Sequence, residues 1–138
     1  MEDEKTTKAV CFTEVQSRAK LNKYKVLLVD DEPLVLFAIK SMLVKLNCDV
    51  ITATNGATAV EMLKATNKYG NEEGIQLVIL DANMPIMNGY QTATTITELM
   101  HNCAITPVKM VCLSAQDPAT HAVLCASSGM EEVCMEYF

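Results

Sequence analysis

The sequence predicts an α/β protein built on a parallel sheet with helices on both faces, and three observations carry that prediction. Short runs of branched apolar residues alternate with longer amphipathic stretches, the pattern of strands joined by crossover helices. Two of the runs, 25–29 and 75–80, are almost continuously apolar, which fits strands covered on both sides. Each of those two is followed by a carboxylate, at the edge where open α/β sheets place their chemistry.

The run 75–80, Ile-Gln-Leu-Val-Ile-Leu, is too short for an isolated helix and predicts the central strand, closed by Asp81. In the loop that follows, Pro85 fixes its own φ and removes a donor, and Asn88-Gly89 tolerates turn geometry, so Asp81 is left accessible. The run 25–29 predicts the first strand and leads into Asp30-Asp31-Glu32-Pro33. Pro33 marks the first turn of a helix, and Asp31 or Glu32 suits its amino end as a cap or as a partner of the helix dipole. Were both strands neighbours in one parallel sheet, Asp30, Asp31 and Asp81 would converge. Carboxylates that close repel, and each unit of pKa displacement costs about 1.4 kcal/mol, so such a cluster calls for a cation. Oxygen ligands with room for water suit Mg²⁺.

The remaining elements follow in order. A helix over 33–46 has Val35, Ile39, Met42 and Leu46 in one stripe, widened by Leu36 and Leu43. A short strand spans 49–53, and Asn55-Gly56 opens a helix over 57–68, since only one strand-like run adjoins it and a hairpin needs two. After a polar loop and the central strand comes a helix over 90–101 whose Thr92, Thr94, Thr95 and Thr97 are poor helix formers. Residues 107–113 predict a fourth strand leading to Ser114, whose hydroxyl either caps the next helix or donates to a phosphoryl oxygen. That helix spans 118–127 and stops near Gly129, and 131–137 predicts a fifth strand. Residues 1–23 are mostly polar, with weak apolar character at Val10, Phe12 and Val15, and are read as a leader or linker.

Composition narrows the function classes. The 138 residues suffice for one domain, and a net charge of −6 argues against a nucleic-acid surface. No run approaches the ~20 apolar residues of a membrane span, and the acidic amino terminus has no signal-peptide core, so a cytoplasmic protein is expected. Cys11, Cys48, Cys103, Cys112, Cys125 and Cys134 contain no Cys-x-x-Cys pair, and free thiols are expected, interior for Cys112, Cys125 and Cys134. His101 and His121 read as surface residues, and no P-loop sequence is present.

Asp30-Asp31 after the first strand, Asp81-x-x-Met84-Pro85-x-Met87-Asn88-Gly89 after the third and Leu113-Ser114-Ala115 after the fourth resemble the receiver domain of two-component response regulators, over about residues 24–135. The middle motif is the distinctive one. The resemblance implies a flavodoxin-like, doubly wound parallel sheet of five strands in the order 2-1-3-4-5. It further implies that Asp81 accepts a phosphoryl group from a phosphohistidine of a sensor histidine kinase or a histidine phosphotransfer protein. Mg²⁺ would be held by Asp31, Asp81 and the backbone carbonyl of Asn83, with Asp30 acting largely through water, and Ser114 would bond the phosphoryl group.

Three positions depart from the family. Where receivers carry a Lys after the fifth strand, a Pro next to it and an aromatic three residues before it, this chain has Glu136, Tyr137 and Val133. The family's last helix would need about a dozen residues beyond Phe138, which reads as a receiver over 24–138 lacking its final helix, either a fragment of a longer protein such as a hybrid kinase or a truncation. The sheet face left open would invite a homodimer. Two functions are therefore expected in competition: a phosphoacceptor in a phosphorelay, and a degenerate receiver that binds a partner without phosphorylation.

Overall fold

Four apolar runs pair into one sheet in the computed structural model, which describes residues 23–84, 86–113, 123–124 and 126–130. The strands are β1 (Tyr24–Val29), β2 (Cys48–Ala53), β3 (Leu77–Asp81) and β4 (Lys109–Leu113). All pairings are parallel and the order is β2-β1-β3-β4, as expected for the first four strands. The predicted fifth strand and residues 1–22 of the predicted leader lie outside the described residues.

Alternate side chains of β1, β3 and β4 enter two different cores, which is why these strands are largely apolar without alternation, whereas β2 at the sheet edge exposes Asp49 and Ile51. Leu27, Val29, Val78, Leu80, Met110 and Cys112 face one side, where they meet α2 (Gly56–Thr66) and α3 (Gly89–His101) through Ala59, Leu63, Ala93 and Ile96. Val26, Leu28, Leu77, Ile79, Val111 and Leu113 face the other, with Ile39 and Leu43 of α1 (Pro33–Lys45). Residues 123–124 and 126–128 are helical, and Gly129 follows with a φ of +85°, the stop expected near that position. The rest of the predicted helix over 118–127 lies outside the described residues.

Several local expectations need correction. Met42 was placed on the inner stripe of α1 but is 44% exposed, because the buried face centres on Ile39 and Leu43 and Met42 lies on its flank. Glu32 occupies the N-cap of α1, yet no side chain caps that helix. Asp30 instead bonds locally, Oδ1 accepting the Glu32 N–H at 2.9 Å. Asn55 does cap α2, its Oδ1 accepting the Thr58 N–H at 2.8 Å. The threonines of α3 are accommodated by back-bonding: the hydroxyls of Thr92, Thr94 and Thr95 donate to the carbonyls of Asn88, Tyr90 and Gln91, each four residues earlier. The thiols of Cys48 and Cys112 are buried and that of Cys103 is exposed, while Cys11, Cys125 and Cys134 fall outside the description. His101 is exposed in the last turn of α3, and His121 is outside the description. Among the described residues no helix is long and apolar enough to cross a membrane.

Asn67, expected only as part of a polar loop, ends α2 at Thr66 and starts the central strand. It is 1% exposed. Its Nδ2 donates to the Ile75 carbonyl and its Oδ1 accepts the Ile75 N–H, both at 2.8 Å, as a neighbouring strand would. Its backbone carbonyl accepts from Thr106 at 2.8 Å. A Cβ on Gly74 would run into this amide. Replacing Asn67 by Ala leaves two buried backbone groups of Ile75 without partners, at about 1–3 kcal/mol each where water cannot reach. Urea unfolding of Asn67→Ala is expected to show a loss of about 2–4 kcal/mol, with Asn67→Asp losing at least as much, because a buried carboxylate oxygen would face the Ile75 carbonyl with no donor between them.

Candidate functional site

The register of the sheet assembles the acidic cluster. Val29 pairs with Leu80, so the next residues, Asp30 and Asp81, leave neighbouring strands side by side. Parallel neighbours lie about 4.8 Å apart. One carboxylate oxygen from each of Asp30, Asp31 and Asp81 falls within 4.8 Å of the other two. Asp30 is buried, Asp81 partly buried and Asp31 exposed, so the cluster opens to solvent on one side. Backbone bonds hold the two strand ends: Asp30 N–H donates to the Ala53 carbonyl at 3.2 Å and Ala82 N–H to the Leu113 carbonyl at 3.0 Å.

Electrostatically the cluster is unbalanced. Among the described residues no cationic side chain pairs with it, the one ion pair being Lys64 with Glu61 at 3.4 Å on the surface of α2. Burial pushes the Asp81 carboxyl up to about 6, with Asp30 and Asp31 adding to the rise, and the N–H groups of Asn83 and Ala82 opposing it. Burial likewise raises Asp30, as do its neighbours Asp31 and Glu32, while the Glu32 N–H and a bond with Asp81 oppose the shift. A set of oxygen donors, doubly anionic or more, with one face open for water, fits a hard divalent cation such as Mg²⁺.

The loop after Asp81 is built to hold this arrangement. Asn83 N–H donates to Asp81 Oδ1 at 3.2 Å. Asn88 and Gln91 exchange side-chain and backbone bonds at 2.9 Å in a capping box that starts α3. Gly89 N–H donates to the Ala82 carbonyl at 3.1 Å, and a Cβ at Gly89 would collide with the Asp81 carbonyl. Asn88-Gly89 therefore serves as a cap and a close approach more than as a free turn. A second glycine was not foreseen as part of the support. Gly56, first in α2, is so close to α3 that a Cβ there would meet Thr92 Oγ1 and come within 3.1 Å of the Met87 carbonyl. Only the pairing of a helix-opening Gly with an unexplained run of threonines hinted at it.

Asp30, Asp31 and Asp81 are thus brought together as expected, and Asn83 lies beside them, exposed. Leu113 pairs with Asp81, while Ser114, Glu136 and Val133 are outside the described residues.

A parallel β2-β1-β3-β4 sheet with three acids at its carboxyl edge defines the class, and the chain belongs to the response regulator receiver domain family, whose model matches residues 26–135. It is 30% identical to the protein PilG of Pseudomonas aeruginosa over 67% of this chain and 62% of PilG. It is also 30% identical to the sensor histidine kinase GacS of Pseudomonas protegens, over 78% of this chain but 11% of that protein. The chain therefore spans less than two thirds of these relatives. Among solved structures, the receiver domain of the histidine kinase CKI1 from Arabidopsis thaliana, complexed with Mg²⁺ and BeF₃⁻, superposes with a TM-score of 0.73 at 20% identity, covering 87% of each chain. The Saccharomyces cerevisiae complex of the histidine phosphotransfer protein Ypd1 with the receiver domain of Ssk1 gives 0.70 at 24% identity, covering 83% of this chain and 79% of that one. At such identities the likeness establishes the fold.

A carboxyl raised by folding is more protonated folded than unfolded, so its contribution to stability is largest at low pH and declines as pH rises from about 4 to about 6. In EDTA the protein is expected to gain stability between pH 7 and pH 5, by about 1 kcal/mol from Asp81, since only part of its titration falls in that window and solvent screens a partly exposed carboxyl. With Mg²⁺ present that slope should flatten, because cation and proton compete for the same oxygens. Melting curves at both pH values, with and without Mg²⁺, check this, and Asp31→Ala should weaken the Mg²⁺ effect.

Proposed function

We propose that this chain is the phosphoacceptor of a two-component phosphorelay, with residues 24–138 as the receiver unit and Asp81 as the nucleophile. The observation that carries the reading is the convergence of Asp30, Asp31 and Asp81 at the carboxyl edge of the sheet. One oxygen of Asp81 attacks the phosphorus of a phosphohistidine. The P–N bond breaks as the P–O bond forms, and the imidazole leaves with the electron pair and takes up a proton. Asp81 must be ionised to do this, and burial, which raises its carboxyl, opposes ionisation until a cation offsets the charge. Mg²⁺, when bound, supplies positive charge that offsets the phosphoryl oxygens. Asp31, Asp81 and the Asn83 carbonyl would hold it, with Asp30 acting largely through water.

Little else is asked of the protein in such a transfer beyond position and charge. Asn83 N–H orients one Asp81 oxygen, and Gly89, lacking a Cβ, leaves room for the carbonyl of the same residue while its N–H holds the Ala82 carbonyl. The Ser114 hydroxyl is assigned to donate to a phosphoryl oxygen. Sensor histidine kinases and histidine phosphotransfer proteins are the donor classes, and a cytoplasmic location goes with them. The departures at Glu136 and Val133 favour the competing reading, a receiver that binds its partner without phosphorylation. A carboxylate at Glu136 within ~4 Å of an aspartyl phosphate would cost up to about 4 kcal/mol at an effective dielectric of about 20, so slow phosphorylation and weak coupling to Ser114 are assigned to it.

Acetyl phosphate with Mg²⁺ is expected to add one phosphate to the wild-type chain by intact mass, to add none in EDTA, and to add none to Asp81→Asn. Glu136→Lys should raise the phosphorylated fraction. Wild type left unmodified under all conditions would establish the phosphorylation-independent reading instead.

A further inference from the structure

Four threonines stand in α3, and one of them is placed where a hydroxyl is least expected. Thr92 is fully buried, whereas Thr94 is exposed and Thr95 and Thr97 are half-buried. A buried hydroxyl costs free energy unless it is hydrogen-bonded, and a Val of the same shape would fill the space without that demand. The Thr92 hydroxyl is bonded: Oγ1 donates to the Asn88 carbonyl at 2.8 Å, and the Thr92 N–H donates to the same oxygen at 2.9 Å. Gly56 closes the space beside it, since a Cβ there would meet Oγ1. The hydroxyl is thus shielded from water and held against the first turn of α2.

The doubly held carbonyl begins a chain of bonds that ends on Asp81. A peptide unit is rigid and planar, so fixing its C=O also aims its N–H. The unit joining Asn88 to Gly89 has its oxygen on Thr92 and gives its N–H to the Ala82 carbonyl at 3.1 Å. The unit joining Ala82 to Asn83 has its oxygen on that Gly89 N–H and gives its own N–H to Asp81 Oδ1 at 3.2 Å. Hydrogen bonds in series therefore run from the Thr92 hydroxyl across two peptide planes to the carboxylate. Each polarises the next, and burial of Thr92, Gly89 and Ala82 keeps water from competing along most of the path. Thr94 offers a contrast within the same helix. Its Oγ1 donates to the Tyr90 carbonyl at 2.9 Å, but the peptide unit so held gives its N–H to the Asn88 side chain and not to the strand end.

We infer that Thr92 is a positioning residue for phosphorylation of Asp81: its buried hydroxyl, acting through the 88–89 and 82–83 peptide units, fixes the Asn83 N–H and with it the rotation of the Asp81 carboxylate. The inference rests on Asp81 being the phosphoacceptor and adds a residue from the buried face of α3. In-line attack needs one lone pair of Asp81 aimed at phosphorus, so a carboxylate freer to rotate reacts more slowly.

Thr92→Val removes the hydroxyl and keeps the shape, Thr92→Ser keeps the hydroxyl, and Thr94→Val makes the same change on the exposed side of the helix. With acetyl phosphate and Mg²⁺, Thr92→Val is expected to take up phosphate with a second-order rate constant about three- to tenfold lower, the equivalent of one hydrogen bond. Thr92→Ser and Thr94→Val should stay near the wild-type rate. In NMR spectra of the metal-free protein the Asn83 amide proton should move upfield in Thr92→Val, as a weakened hydrogen bond requires, and return in Thr92→Ser. In the wild-type chain the Gly89 amide should be protected from deuterium exchange, and exchange at the rate of a free peptide would overturn the relay even if no variant folds. Uptake by Thr92→Val at the wild-type rate, a loss that Thr92→Ser does not restore, or an Asn83 amide unmoved in Thr92→Val would overturn the positioning role and leave the phosphoacceptor reading standing. So would an equal loss in Thr94→Val, since removal of any threonine from α3 would then suffice. No uptake by wild type, or uptake that persists in Asp81→Asn, would overturn the phosphoacceptor reading, and the role of Thr92 with it.

Discussion

The parallel pairing of β1 with β3 is the constraint on which the rest depends. It sets Asp30 beside Asp81 at the sheet edge, about one strand spacing apart, and the sheet interior behind them consists of fully apolar residues. Packing of Val26 to Val29 and Leu77 to Leu80 into two cores fixes that register, because a slip of one residue would exchange the faces of every side chain in the strand. The stability of the cores is therefore what holds three mutually repelling carboxylates together. Unpaired by any described cation, they make the edge a place of electrostatic strain, seen in the raised carboxyls of Asp81 and Asp30.

Around this edge, small residues serve close approach. Gly89 lets the loop return against the Asp81 carbonyl, and Gly56 lets α2 close on Thr92 and the Met87 carbonyl. At the opposite end of β3, Asn67 gives Ile75 the two hydrogen bonds that a neighbouring strand would otherwise provide. The central strand is thereby anchored at both ends, by an amide at its start and by a glycine and a capping box at its exit. Anchoring of this kind limits the movement of Asp81 relative to Asp30, and position is most of what phosphoryl transfer asks of a protein.

Helix α1 joins the two halves of this picture. Its inner face closes the second core, and its outer face carries apolar residues that the fold does not use. The same element that follows the acidic pair thus buries Ile39 and Leu43 and leaves Leu34, Phe37 and Val44 exposed. Asp31 and Glu32 precede it without capping it, which leaves Asp31 available to the cluster.

The sequence by itself determined the strands, the helices and the acids. Continuous apolar runs identify doubly covered strands because both faces must be buried, and Asp30, Asp31 and Asp81 were legible because a carboxylate directly after such a run can only lie at the sheet edge. That Asn55-Gly56 opens a helix was legible locally too, while the bond by which Asn55 caps it belongs to the structure. Tertiary structure alone decided what depends on residues distant in the chain. That Asp30 and Asp81 are neighbours follows from which strands pair, and the pairing partners are about fifty residues apart. Asn67 looks like any loop amide until Ile75 arrives beside it, and Gly56 like any helix start until Thr92 does. Met42 and Leu34 differ little from Leu43 in composition and hydrophobicity. Only the direction in which α1 lies on β1 and β2 determines which of them is buried and which apolar face of the helix is left exposed.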